Sequence, residues 1–283
     1  MTASSRKRTF AIGFSLLAIA IAILWFVPFY WAISLSFRRP ADTFTTAGLG
    51  IPFINYAPTL ENWQRELSTP ETIRALTNST IVSVSASVIA LIIGVPAAYA
   101  LARFRFKRPP NEDLTLWFLS QRILPPIATV VPFLLIMRQL NLIDTRASLI
   151  LVNITFNLPF AVVIMRQAFL DLPIELEEAA LVDGTSYLGA FNRIALRLAA
   201  PAMAATLLIV FSFSWNEFLF SLTLGTLRAK TIPVFMAGAV DTRGIQFWFV
   251  AVRTLTAIIP PVIIATLAQK YIVQGLTFGA VKG

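Results

Sequence analysis

Apolar residues gather in six long runs, at 9–37, 72–101, 114–137, 147–169, 200–224 and 246–269, and polar residues collect between them. Each run is long enough to cross about 30 Å of hydrocarbon as a helix. The pattern predicts an all-α polytopic membrane protein with about six transmembrane helices, forming a single transmembrane domain over 1–283. The first run follows Arg6-Lys7-Arg8 and carries Trp25, Pro28 and Trp31. A signal peptide has a shorter apolar core and a small-residue cleavage site, so an uncleaved first helix is expected. Between the first and second runs, Thr59-Leu60-Glu61-Asn62-Trp63 suggests a short helix at the surface.

The segment between the fourth and fifth runs, 171–201, differs from the other connections. Pro173 sits where a first-turn proline is tolerated, and Glu175, Glu177 and Glu178 follow near the positive end of a helix. Ala179, Ala180 and Leu181 favour helix, Gly184 supplies a stop, and Thr185 or Ser186 can cap a second helix. In that second helix Tyr187, Phe191, Ile194 and Leu198 share a face at helical spacing. Two short helices bent at Asp183-Gly184, acidic first and apolar after, suit a groove on a partner protein. A helix lying on the bilayer is the alternative, but such helices carry a basic polar face.

Composition supports the membrane reading. The chain has 283 residues, 57% hydrophobic and 13% charged, with a mean hydropathy of +0.75. Soluble domains carry about 25% charged residues. There is no cysteine and no histidine, so disulfides, thiolate chemistry and an imidazole base are excluded. A net charge of +9 fits basic loops facing anionic lipid rather than nucleic acid. The strongest basic clusters are the N-terminus and Arg103, Arg105, Lys107 and Arg108. Placing both inside puts the two termini and the 171–201 loop in the cytoplasm.

Glu178-Ala179-Ala180, three residues, Gly184, nine residues, Ile194 and Leu196 resemble the EAA loop of binding-protein-dependent ABC importer permeases. Thr59-Leu60-Glu61-Asn62-Trp63, Leu142-Ile143-Asp144-Thr145, Trp215-Asn216-Glu217-Phe218 and the run from Gly275 to Gly283 are similar to the carbohydrate branch, near the smaller permease subunit of the maltose importer. The resemblance spans nearly the whole chain. It implies a type I importer fold and a coupling helix that fits a cleft on a cytoplasmic ATPase, with Glu177, Glu178, Ala179, Ala180, Asp183, Gly184 and Phe191 as coupling residues. The C-terminal tail, with Gly279, Lys282 and Gly283, would be a second ATPase contact. The implied partners are a second permease, two copies of an ABC ATPase, an extracytoplasmic sugar-binding protein and the carbohydrate itself. The implied location is the bacterial inner membrane. The family pattern closes with proline after the Leu196 position, where this chain has Arg197; the second loop helix is therefore expected to continue to Pro201.

The sequence carries no Gly-x-x-x-x-Gly-Lys-Ser/Thr run to cradle ATP. No cofactor is expected on this chain, and ATP and Mg belong to the partner ATPase. Polar residues inside the runs are candidates for the substrate pathway, because such groups are costly at membrane depth. They are Gln121, Arg122, Asn153, Asn157, Asn216 and Glu217. Asn153 and Asn157 share a helix face, and carboxamides suit sugar hydroxyls, though they also join helices. Glu217 is a candidate partner for Arg122 or Arg253. A self-sufficient secondary transporter or channel is the rival reading; it would show inverted repeats and ion-coupling acids, and no repeat is seen.

Overall fold

The structure is a computed structural model that describes residues 3–46, 48–238, 240–241 and 244–279. The chain divides into two compact units, Met1–Thr72 with Met236–Ala257, and Ile73–Phe235 with Ile258–Gly283.

In the first unit, α1 (Ala3–Ser36) is followed by α2 (Pro40–Thr45) and α3 (Glu61–Leu67). Within α1 the stretch Ile12–Ser36 is apolar enough to span a membrane, and its most hydrophobic window buries nothing within the chain. A face so apolar and so exposed belongs against lipid or a neighbouring helix. The segment after α1 folds back on a buried cation. Arg38, 2% exposed, donates to Ser34 Oγ at 3.0 Å and to the Leu49 carbonyl, and lies over the Tyr56 ring. The surface helix predicted at 59–63 begins at Glu61. Its Asn62 Nδ2 holds the carbonyls of Ser36 and Arg38 at 3.1 and 2.7 Å. Arg253 forms an ion pair with buried Glu66 at 2.6 Å, so its acid partner is Glu66 rather than Glu217.

The second unit is built on α4 (Pro70–Arg103) from Ile73 onward, α7 (Arg146–Asp171) and α11 (Ala200–Trp215). Thr145 caps α7 by accepting from the Ser148 N–H at 3.3 Å. Small residues let these helices approach closely: Ala86, Ala90, Ala98 and Ala161 are fully buried. Three apolar clusters run along them, around Val82, Leu149 and Phe220, around Ala90, Ala161 and Val210, and around Tyr99, Phe169 and Phe191.

Four helices among the described residues are long and apolar enough to span a membrane by themselves, and a bent pair makes a fifth. The third predicted span, 114–137, is two helices, α5 (Asn111–Ser120) and α6 (Pro126–Gln139). Pro125 is extended, with ψ at 127°, and Pro126 starts α6. A proline pair cannot continue a helix from its N-terminal side. The fifth, 200–224, stops at Trp215 and resumes as α12 (Leu219–Leu224). There Glu217 accepts from the N–H groups of Phe220 and Ser221 at 2.7 and 2.9 Å, capping the new helix. Beyond it lie α13 (Ile232–Ala237), a two-residue antiparallel pair at Val240–Asp241 and Gly244–Ile245, and α14 (Phe247–Gly279).

Candidate coupling surface and membrane cavity

The 171–201 loop holds α8 (Glu175–Val182) and α9 (Tyr187–Ala190), joined through Gly184. Gly184 has φ at +86°, a conformation that L side chains resist. Ser186, not Thr185, caps the second helix, accepting from the Gly189 N–H at 3.2 Å. The helix widens to a π-type turn at Phe191–Ala195, with the Leu196 N–H reaching back to Phe191 O, and finishes as α10 (Leu196–Leu198). It then bends by 73° into α11. Pro201 lies in the first turn of α11, so the helix does not run on unbroken to it. The wide turn also rotates the buried face. Phe191, Ala195 and Ala199 are buried, whereas Tyr187 and Leu198 are exposed. The predicted face of Tyr187, Phe191, Ile194 and Leu198 assumed regular helical spacing, which a π turn breaks.

The acids of α8 divide between two roles. Glu177 is 5% exposed. It accepts from Tyr99 Oη at 2.5 Å and forms an ion pair with Arg103 at 2.8 Å. Arg103 also donates to the Leu172 carbonyl at 3.2 Å. The Tyr99 ring packs on Phe169 and Phe191, centroids 5.3 and 4.6 Å away. Glu177 and Phe191 thus face inward. Glu178, Ala179, Asp183 and Gly184 are exposed and Ala180 is half-buried. Val182 and Leu188, 88% and 68% exposed, add an apolar edge. Gly279 is the last residue of α14; Lys282 and Gly283 lie outside the described residues.

At the other end of α4 a second loop is clamped. Asn78 Nδ2 donates to the carbonyls of Arg228 and Lys230 at 2.8 and 2.9 Å, and Arg146 donates to Asn78 Oδ1 at 2.7 Å. Ser79 Oγ accepts from the Ile232 N–H at 2.8 Å. From the α6–α7 turn, Asp144 accepts the N–H groups of Leu227, Arg228 and Ala229 at 3.0, 2.9 and 3.1 Å. Burial pushes the Asp144 carboxyl up, but those N–H groups and the Arg228 charge outweigh it and hold the carboxyl below its ordinary value.

Both helix breaks open on one cavity of about 470 Å³. Arg122, Asn153, Asn157 and Glu217 line it with Phe156, Phe213 and Phe218. Asn153 donates to the Leu149 carbonyl of its own helix at 2.9 Å, and Asn157 donates to Ser214 Oγ at 3.1 Å. Arg122 donates to the Phe156 carbonyl at 3.0 Å and lies 3.9 Å from the Phe160 ring centre. Its partners are therefore a carbonyl and the rings of Phe160 and Phe213, not Glu217. Four of the six pathway candidates meet here. Gln121 sits in the α5–α6 break outside the lining, and exposed Asn216 donates to Ser212 O of its own helix at 2.8 Å. Sequence reasoning missed the phenylalanine walls, because nothing separates wall residues from the many other phenylalanines before the breaks are known. It also missed Tyr99 and Arg103, although their four-residue spacing on one helix face was a usable signal.

Long apolar helices, two of the predicted spans broken around a cavity, and a polar helical loop at one end define a multi-pass membrane protein built for passage rather than anchorage. Residues 90–278 match the family described as Binding-protein-dependent transport system inner membrane component, and the chain belongs to that family. It is 37% identical to the Trehalose/maltose transport system permease protein MalG of Thermococcus litoralis, over 94% of this chain and 95% of that one. It is 34% identical to the Trehalose transport system permease protein SugB of Mycobacterium tuberculosis, over 99% of each. Its fold is similar to a chain in the crystal structure of a bacterial ABC transporter involved in the import of the acidic polysaccharide alginate. The TM-score is 0.75 and the identity 24%, covering 96% of this chain and 98% of that one.

Proposed function

We propose that this chain is one of two permease subunits of an ATP-driven importer for a carbohydrate, forming half of the translocation pathway. The observation that carries the reading is the outward edge of the 171–201 loop. Glu178, Ala179 and Gly184 are free to dock, while the neighbouring Glu177 ties the loop to the helices behind it. That is the arrangement a driven subunit needs, one face for the motor and one for the load. Both termini and this loop lie in the cytoplasm in this reading. The edge fits a cleft on an ABC ATPase, Glu178 pairing with a basic residue there. ATP and Mg are held by that partner, not by this chain. Closure of two ATPases then shifts the pair of permeases between outward-open and inward-open states through differential binding.

A carbohydrate substrate is supported by relatives named for trehalose and maltose, and by the cavity. Its volume falls within the range usual for small-molecule sites. Asparagine side chains meet hydroxyls there, and aromatic faces meet the C–H faces of sugar rings. The second permease completes the pathway, and an extracytoplasmic binding protein delivers the sugar. The test is affinity purification of the chain from its native membrane in mild detergent, with mass spectrometry. Co-purification of a second permease and an ATPase with a phosphate-binding Gly-x-x-x-x-Gly-Lys motif is expected, and a sugar panel on the co-purified binding protein then identifies the substrate. Recovery of the chain alone overturns the reading and favours a self-sufficient transporter.

A further inference from the structure

Both ends of the long helix α4 are gripped by loops on opposite sides of the unit it supports. At one end Tyr99 and Arg103 hold Glu177 of the 171–201 loop through a 2.5 Å hydrogen bond and a 2.8 Å ion pair, and Glu177 is 5% exposed. At the other end Asn78 and Ser79 hold the loop from Gly225 to Ile232 through three hydrogen bonds of 2.8 to 2.9 Å. Asn78 itself is fully buried. The two grips lie about 37 Å apart along one helix, which Pro96 does not interrupt. Between them Gly94 is set against Ala161: a Cβ built on Gly94 would lie 2.9 Å from that of Ala161. α4 and α7 therefore move as a packed pair at that point.

We infer that α4 is the rod by which motion of the 171–201 loop reaches the loop from Gly225 to Ile232, with Glu177 and Asn78 as the positioning residues at its two ends. The inference rests on the coupling role proposed above. The physical reason is the nature of the two grips. A buried ion pair loses most when one partner is displaced, because the other is left charged and unpaired. Movement of α8 at Glu177 is therefore followed by Arg103 rather than absorbed by slippage. At the far end the receiving loop is rigid. Asp144 fixes three of its N–H groups and Asn78 two of its carbonyls, so it moves as a body with α4 and the α6–α7 turn. Exposed Leu227, 74% accessible, sits at its tip.

The absence of native cysteine makes the test direct. Leu227→Cys is introduced and the assembled transporter is labelled with a maleimide, with and without Mg-ATP plus vanadate to trap the ATPases closed. Labelling is read on this chain after separation of the subunits. The trapped state should change the labelling rate at position 227 by roughly fivefold. Glu177→Gln should abolish that response while ATP hydrolysis continues, and Asn78→Ala should abolish it from the far end. Asn78→Ala leaves the three Asp144 bonds in place, so equal labelling without nucleotide shows that the loop has kept its fold. A response that survives in either variant overturns the inference. So does a parent complex that hydrolyses ATP with no response at 227, leaving the coupling role standing. Failure of the parent chain to assemble with an ATPase overturns both.

Discussion

Gly94 and Ala161 set the crossing of α4 and α7: a Cβ on Gly94 would stand 2.9 Å from the Ala161 Cβ, and Val162 N would be 3.5 Å away. Leu158 Cδ1, at 3.4 Å, can shift, but the tightest neighbour is a Cβ fixed to the α7 backbone and cannot swing aside. Gly94→Val should therefore lower the stability of the assembled permease by about 1–3 kcal/mol, the range for overpacking a close contact. Thermal unfolding in mild detergent measures it. An unchanged midpoint would show that the helices can part without penalty.

Gly184 and Glu178 act on different parts of the loop. Gly184 supplies the positive φ of the bend, and any L residue there costs about 1–2 kcal/mol. Glu178 is exposed, and its side chain makes no hydrogen bond or ion pair among the described residues. Gly184→Val should disturb the placement of α8, whereas Glu178→Lys should leave the chain folded and remove only the docking charge. Both variants should insert into the membrane yet show ATP hydrolysis that no longer drives uptake. Complementation of a strain lacking the native gene reads the result, and normal uptake by both variants would sink the docking role.

The carboxylate of Asp144 is held below its ordinary value in the folded chain, so its contribution has a defined sign. The stabilisation is fully present above the unfolded value of about 3.9, and it is lost as pH falls through the lower folded value. Amide hydrogen exchange of Leu227, Arg228 and Ala229 should therefore stay protected from neutral pH down to about pH 5 and weaken only in stronger acid. Asp144→Asn should speed exchange at the three amides at neutral pH, and the gap between the two proteins should close in acid. A gap that persists unchanged in acid would show that the carboxylate charge is not what holds the loop.

The sequence pattern carried the spanning runs, the bend at Gly184 and the membership of Asn153 and Asn157 in one face, because each depends on local spacing. It did not carry the division of labour between Glu177 and Glu178. Adjacent glutamates are alike in sequence, and only packing against Tyr99 and Arg103 separates them. The breaks at 121–125 and 216–218 were hidden for a related reason. Apolar residues flank both, and the polar residues there, Gln121, Arg122, Asn216 and Glu217, fit a pathway within a continuous span as well as an interruption. The interruption comes from the Pro125-Pro126 pair and from the Glu217 cap. The π turn at Phe191–Ala195 has no compositional mark at all, so the buried face of the second loop helix was predicted one step out of phase.

Asn157 is buried at 3% exposure and lines the cavity between those breaks, its Nδ2 engaged with Ser214 Oγ at 3.1 Å. Its carboxamide oxygen accepts no hydrogen bond among the described residues, which leaves an acceptor for a hydroxyl in the cavity. If sugar passes here, Asn157→Leu keeps the volume and removes that acceptor. Leaving a hydroxyl unpaired in an apolar cavity should raise the apparent KM for sugar uptake roughly tenfold, equivalent to about 1.4 kcal/mol. Ser214→Ala removes the fixing bond but not the acceptor, and should raise it less. ATP hydrolysis by the assembled transporter should be unaltered in both, since neither residue touches the 171–201 loop. An unchanged KM in Asn157→Leu would assign the residue to helix packing, and the substrate contacts would then lie on the second permease.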